Sequence, residues 1–220
     1  VWKDHMVSQG FGYKLGVDLP GEKRGLIPNA QFYDKAYRGH WNGLTVISIS
    51  IGQGEILATP LQIANLGATI ANRGYFITPH IVKEIQDNQL DSIYRTPRYT
   101  TIEKRHYESV VEGMRGAATG GTCRMLSVMV PDLEACGKTG TAQNPHGRDH
   151  STFLSFAPKD NPRIAISVYV ENGGFGATIA LPIASLLEEY YLTDTITRPQ
   201  LVEQVKAYNI YYPIYAEDRK

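Results

Sequence analysis

Apolar residues repeat in three ways along this chain, and each way predicts a different element. Between residues 103 and 118, Tyr107, Val110, Val111, Met114 and Ala118 recur at helical spacing and form one apolar face. From 163 to 172, "RIAISVYVEN" sets Ile164, Ile166, Val168 and Val170 against Ala165, Ser167 and Tyr169, the two-residue period of a strand with unlike faces. Near the end of the chain, Ile183, Leu186, Leu187, Tyr190 and Tyr191 predict a further helix with an apolar stripe. The unbroken run "LTVISISI" (44–51), closed by the glycine turn "GQGE", has the composition of a strand.

Punctuation fills in the rest. Thr59-Pro60-Leu61-Gln62 places a cap, a first-position proline and a capping-box glutamine ahead of a helix that Asn72-Arg73-Gly74 ends. Leu61, Ala64, Leu66, Ala68 and Ile70 cover most of that helix with apolar groups, which predicts deep burial. Residues 10–29 read as loop with one short strand pair, 76–86 as a short strand, and 87–100 as polar loop. From 134 the texture turns to strand: "EACGKTGTAQ", then "STFLSFA" (151–157), the turn "PKDNP" and the strand 163–172. "GGFGA" leads into the last helix, and residues 193–220 form a polar, tyrosine-rich tail. The fold class is α+β: three antiparallel strands late in the chain, helices ahead of them and one behind.

Composition narrows the function classes. The 220 residues carry 22 basic and 22 acidic side chains, too balanced for a nucleic-acid partner. No apolar run approaches the ~20 residues of a membrane span. The opening "VWKDHM" reads like the interior of a domain, so a piece of a longer protein is expected. Cys123 and Cys136 are too few for a disulfide framework, and two free thiols are favoured over a bridge.

The densest chemistry is "ACGKTGTAQ" (135–143). Gly137-Lys138-Thr139 matches the end of a phosphate-binding loop, but the first glycine of that pattern would fall on Asp132, whose carboxylate repels phosphate. A strand also follows where that loop needs a helix. The pattern that fits is K-T-G on a strand. There Lys138 supplies a fixed positive charge, the Thr139 and Thr141 hydroxyls donate to a carboxylate, and Gly140 leaves room for an extended peptide. A strand N–H beyond the glycine can join an oxyanion hole, worth about 3–4 kcal/mol of barrier per donor.

K-T-G alone is weak. With it stand "FGYKLGVDLPGE" (11–22), "SIGQGEILATPLQIANLGATIANRG" (50–74), "GGT" (120–122), "CGKTGTAQNPHG" (136–147), "DHSTFLSFAP" (149–158) and "VYVENGG" (168–174). In that order and spacing they make the chain resemble the class B penicillin-binding proteins of the elongation type, over about residues 5–192. The resemblance implies a serine β-lactamase/transpeptidase-like fold, with residues 1–192 as the C-terminal part of a transpeptidase domain and 193–220 as a tail. It further implies a peptidoglycan D,D-transpeptidase on the periplasmic side of the inner membrane, working through a serine acyl-enzyme. Stem peptides would be its substrates, β-lactams its acylating inhibitors, and membrane proteins of the elongation complex its partners. Lys138 would orient the terminal carboxylate and assist proton transfer, Thr139 and Thr141 would bind that carboxylate, and the Thr141 N–H would form half of the oxyanion hole. No cofactor or metal is implied.

The departure from the family is the nucleophile. No serine has a lysine three residues on, and no S-x-N or S-x-D occurs. Both motifs precede the "FGYKLGVDLPGE" segment in the family, so this chain is expected to be inactive alone. Two upstream strands of the family sheet would be missing as well, which leaves 163–172 with an edge for "YNIYYPIY" (208–215) or a second chain to cover. A β-lactamase or D,D-carboxypeptidase of the same superfamily, and a non-catalytic carboxylate- or partner-binding module, remain as alternatives. Asp149-His150 has a reading at the cleft mouth and a favoured one as ordinary turn chemistry. His146 and His150 have zinc-helix spacing, but Pro145 and Gly147 argue against a helix there.

Overall fold

The computed structural model describes residues 1–210 and divides the chain into two compact units, Val1–Lys104 and the residues from Arg105 onward.

The first unit is helical and loop-rich: α1 (Trp2–Ser8), α2 (Ala30–Ala36), α3 (Gly43–Ser50) and α4 (Pro60–Ala71), with a two-stranded pair β1 (Tyr75–Phe76) and β2 (Arg98–Tyr99). Helix α4 starts as its sequence predicts. The Gln62 N–H donates to Thr59 Oγ1 at 3.1 Å, and the Thr59 N–H donates to Gln62 Oε1 at 3.0 Å. Its burial does not follow the apolar positions, however. Gln62, Asn65 and Thr69 are inside while Leu61 is 39% exposed. The reason is what α4 packs on: backbone of the 9–24 segment, whose carbonyls need donors. Gln62 Nε2 donates to the carbonyls of Gly10, Tyr13 and Arg24, and Asn65 Nδ2 donates to that of Gln9.

Two strand expectations in this unit are corrected. "LTVISISI" forms α3, started by a capping box between Asn42 and Thr45. Strand preference expresses packing against neighbouring strands, and here the chain offers a capped helix start and no sheet partner. The 76–86 strand stops at Phe76. Beyond it Pro79 interrupts, and the backbone N–H groups of Ile81 and Val82 go to the Asp18 carboxylate at 2.9 Å each instead of to a ladder. The short strand pair expected in 10–29 is a single bridge, Leu26 to Leu57.

The second unit holds α5 (Lys104–Thr119, reaching back one residue), α6 (Met125–Met129), and the antiparallel sheet of β3 (Cys136–Ala142), β4 (His150–Ala157) and β5 (Ile164–Val170) in the order β3-β4-β5. These are the three strands expected. Helix α5 buries Tyr107, Val111, Met114 and Ala118, as its period predicts, with Val110 at the rim. Register pairs Lys138 with Leu154 and Thr139 with Phe153. Phe153, Leu126, Leu181 and Ala184 form the core, and Ile164, Ile166 and Val168 pack against it from β5, so the alternation read in that strand holds.

Helix α7 (Ala180–Thr193) covers the core face through only part of the stripe expected: Leu186 is buried and Ile183 half-buried. Leu187, Tyr190 and Tyr191 are about half exposed, while Ala180, Leu181, Ala184, Ser185 and Glu188 are fully buried. Small residues four apart let the helix lie close to the sheet, and closeness outweighs side-chain size in choosing the face. The first part of the tail forms α8 (Pro199–Lys206), tied to α7 by Arg198 against Glu189, with Tyr208 donating its hydroxyl to the Gly173 carbonyl at 2.8 Å. Among the described residues β5 pairs only with β4. Most of "YNIYYPIY" lies outside the described residues.

Candidate active-site strand

Among the described residues strand β3 is an edge strand, and its register decides what it can offer. The side chains of Thr139 and Thr141 point to one face, which the Gly137 position shares, and those of Lys138 and Ala142 point to the other, where Gly140 adds none. Backbone groups alternate as well, between β4 and the open edge. Cys123 shows which residues face outward. Its thiol donates to the Gly137 carbonyl at 3.3 Å, and the Thr139 N–H is directed at the same sulfur. By that alternation the Thr141 N–H also faces the open edge.

Lys138 and Thr139 therefore leave the strand on opposite faces, yet they meet at its edge. Lys138 is exposed, and its ammonium curls over to donate to the Thr139 carbonyl at 2.6 Å. The Thr139 hydroxyl lies at the same edge and donates to Thr122 Oγ1 at 3.0 Å. One ammonium, two threonine hydroxyls and an outward N–H thus line a short length of backbone. That is a donor-rich site suited to a carboxylate beside a carbonyl oxygen.

The surroundings tie this edge down at several points. Arg115 of α5 donates to the Ala135 carbonyl at 2.9 Å, fixing the entry to β3. Cys123 is fully buried, and burial pushes its thiol above the usual range, with Lys138 pulling the other way. Neither cysteine is in a disulfide, and both are buried. Gly140 has a packing reason of its own: a Cβ there would come within 2.9 Å of Thr152 Oγ1 on β4. Gly176, in the loop after β5, has another. Its Cβ would lie 3.0 Å from the Gly140 N and closer still to the carbonyls of Gly140 and Thr152, so this loop rests directly on the K-T-G backbone.

At the far end of the hairpin, the Asn144 N–H donates to Asp149 and its side chain donates to Asn172, while His150 accepts from the Asn172 N–H and its ring lies 5.5 Å from that of Tyr169. Asp149 thus accepts from the Asn144 N–H in the turn, the contact favoured for Asp149-His150 in the sequence. A cleft of about 360 Å³ lined by Arg148, Asp149, Gly174, Phe175 and Thr178 lies beyond that turn, not at Lys138. The sequence reading named Lys138, Thr139, Gly140 and Thr141 but gave no role to Thr122, Cys123, Arg115 or Gly176. Their contacts join residues far apart in the chain, and only "GGT" and "GGFGA" marked two of the places.

The penicillin binding protein transpeptidase domain model matches residues 2–187, and the chain belongs to that family. Within it, the chain is 32% identical over 227 residues to the peptidoglycan D,D-transpeptidase MrdA of Haemophilus influenzae, covering 93% of this chain and 34% of the relative. Among solved structures it is similar to PBP2 of Pseudomonas aeruginosa in complex with WCK 5153, with 36% identity, a TM-score of 0.76, and coverage of 86% of this chain and 43% of that one. It also resembles PBP2 of Helicobacter pylori in complex with MreC, with 27% identity, a TM-score of 0.70, and coverage of 86% and 35%. The chain spans about a third of the length of the curated relatives it matches.

Proposed function

We propose that this chain is the C-terminal part, over residues 1–192, of an elongation-type peptidoglycan D,D-transpeptidase, and that β3 is its substrate-binding strand. The observation that carries this is the convergence of Lys138 Nζ, the Thr139 hydroxyl and the outward Thr141 N–H on one strand edge. In that reading Lys138 and Thr139, with the Thr141 hydroxyl, hold the terminal carboxylate of a stem peptide, and Lys138 also assists proton transfer. Gly140 keeps the strand close to the ligand backbone, and the Thr141 N–H stabilises the oxyanion. A serine of an S-x-x-K motif elsewhere in the polypeptide attacks the D-Ala-D-Ala carbonyl. The amide C–N bond breaks, and terminal D-Ala leaves as an amine carrying the serine's proton. The amine of a neighbouring stem then attacks the ester, forms the cross-link and returns a proton to serine. β-Lactams acylate the same serine.

We further infer a periplasmic setting and contact with elongation-complex membrane proteins; the H. pylori relative solved with MreC supports the second. The outer edge of β5, unpaired among the described residues, is where further strands of the same protein or a second copy would add.

Labelling with a fluorescent penicillin tests the reading. The chain alone stays unlabelled, and the complete polypeptide carrying an S-x-x-K serine becomes labelled, with Lys138→Ala lowering the acylation rate at least tenfold. A covalent adduct on the isolated chain overturns the missing-nucleophile part. Rapid turnover of a chromogenic cephalosporin by the complete polypeptide favours a hydrolase of the superfamily instead.

A further inference from the structure

Among the family-like segments, the "GGT" corner lies beside β3 and the strand chemistry leaves it without a task. It joins α5 to α6 and is tightly made. The Gly121 and Cys123 N–H groups both donate to the Ala117 carbonyl at 3.1 Å, and the Arg124 N–H donates to that of Gly121 at 3.1 Å. A side chain at Gly121 would come within 2.8 Å of Ala117 Cα, so the corner needs glycine there. On its other side the Cys123 thiol is fastened to the Gly137 carbonyl. Thr122 sits between these pinned neighbours, exposed, with its hydroxyl 3.0 Å from that of Thr139.

We propose that Thr122 is a positioning residue for Thr139. The inference rests on the reading of β3 as a carboxylate-binding strand. In the free site Thr139 spends its hydroxyl proton on Thr122. When a carboxylate arrives, Thr139 turns that proton to the ligand, and Thr122 donates its own proton to Thr139 Oγ1. The hydroxyl facing the charge is then polarised by a second donor behind it, and its rotamer is fixed before and after binding. An isolated threonine would have to be ordered by the ligand itself, at the ligand's expense in affinity.

The test uses the complete polypeptide, with the dissociation and acylation steps separated for a fluorescent penicillin and for the same probe with its carboxylate amidated. Thr122→Val, which keeps the shape and removes the hydroxyl, is expected to weaken non-covalent binding about 5–10-fold, the size of one hydrogen bond, and to leave the acylation step within about twofold. Thr122→Ser restores binding, and the amidated probe does not distinguish Thr122→Val from the parent. Thr139→Val weakens binding of the carboxylate probe at least as much. Parent-like binding by Thr122→Val beside a weakened Thr139→Val overturns the inference alone. So does a loss in Thr122→Val that is equal for both probes or is not rescued by serine. Parent-like binding by Thr139→Val overturns the carboxylate reading itself.

Discussion

Gln62 Nε2 donates to the carbonyl oxygen of Tyr13 at 3.1 Å, and the same nitrogen serves the carbonyls of Gly10 at 3.3 Å and Arg24 at 3.1 Å. One carboxamide therefore fastens the glycine-rich 10–24 segment onto α4 while its oxygen closes the capping box on Thr59. The side chain is 1% exposed, so nothing from solvent can replace it.

Gln62→Leu keeps the volume and removes every one of these bonds. The buried Gly10 carbonyl and the part-buried carbonyls of Tyr13 and Arg24 lose their donor, at about 1–3 kcal/mol for each left unsatisfied, and a net loss of about 3 kcal/mol is expected by urea denaturation. Gln62→Glu should be at least as damaging at neutral pH, because a carboxylate turned toward carbonyl oxygens has no proton to give. A change below about 1 kcal/mol in both variants would show that the loop holds without this anchor.

Neighbouring carboxyls on α7 should titrate in opposite directions. Burial pushes Glu188 up to about 7, and the Ser155 hydroxyl beside it opposes that shift. Burial also acts on Glu189, but Thr197 and Arg198 reverse it and hold that carboxyl below its usual range. A raised folded pKa means the folded state keeps a proton the unfolded chain has lost, so Glu188 destabilises progressively as pH rises from about 4.5 to about 7. Glu188→Gln should flatten that slope and add stability above pH 7, of order 3 kcal/mol at most. Glu189 works the other way: its stabilisation is present above the unfolded pKa and fades as pH falls. Arg198→Ala should remove it, costing about 3 kcal/mol at pH 7 because a nearly buried charge loses its partner. Stability curves against pH for the two variants would settle both signs.

How legible this was in the sequence depended on where each element finds its partners. The sheet of the second unit could be read because β5 alternates in step with the core beneath it, and α4 and α5 began and ended where caps and periodicity put them. "LTVISISI" misled because an apolar β-branched run reports a wish for burial, and α3 leaves Leu44 and Ile47 exposed in this chain. The buried face of α7 misled because Ala184 and Ser185 outrank Tyr190 and Tyr191 when a helix must lie close to a sheet. At the candidate site, Lys138, Thr139, Gly140 and Thr141 announced themselves as a local motif. Thr122 and Cys123 did not, since a hydroxyl pair 17 residues apart and a thiol–carbonyl bond 14 apart have no local pattern.

Both thiols should be silent in the folded protein. Neither Cys123 nor Cys136 is in a disulfide and both are fully buried, and burial raises the Cys123 pKa, which removes the thiolate that reagents attack. Ellman's reagent should find no reactive thiol under native conditions and two after denaturation without reductant. Finding none after denaturation would mean a disulfide. Cys123→Ser should keep both edge contacts, while Cys123→Ala leaves the Gly137 carbonyl without its donor and is expected to cost about 1–3 kcal/mol.

Gly176 offers the sharpest test that the loop after β5 sets the geometry of the K-T-G strand. An alanine methyl there meets the Gly140 N at 3.0 Å and overlaps the carbonyl oxygens of Gly140 and Thr152, all of them backbone atoms that cannot swing aside. Either the loop lifts or β3 shifts, and a shift displaces the Thr141 N–H that follows Gly140. Losing one such aligned donor is worth about 10²–10³ in rate, so Gly176→Ala in the complete polypeptide is expected to slow acylation by a fluorescent penicillin at least tenfold. Gly174→Ala is the control. It sits two residues away at φ 78°, where a side chain strains the backbone, but the nearest atoms its methyl would meet belong to Arg148 and Tyr208 rather than to β3. It should lower the thermal midpoint and leave acylation within about twofold. Equal slowing by the two variants would show that the loop acts through general stability and not through its contact with Gly140.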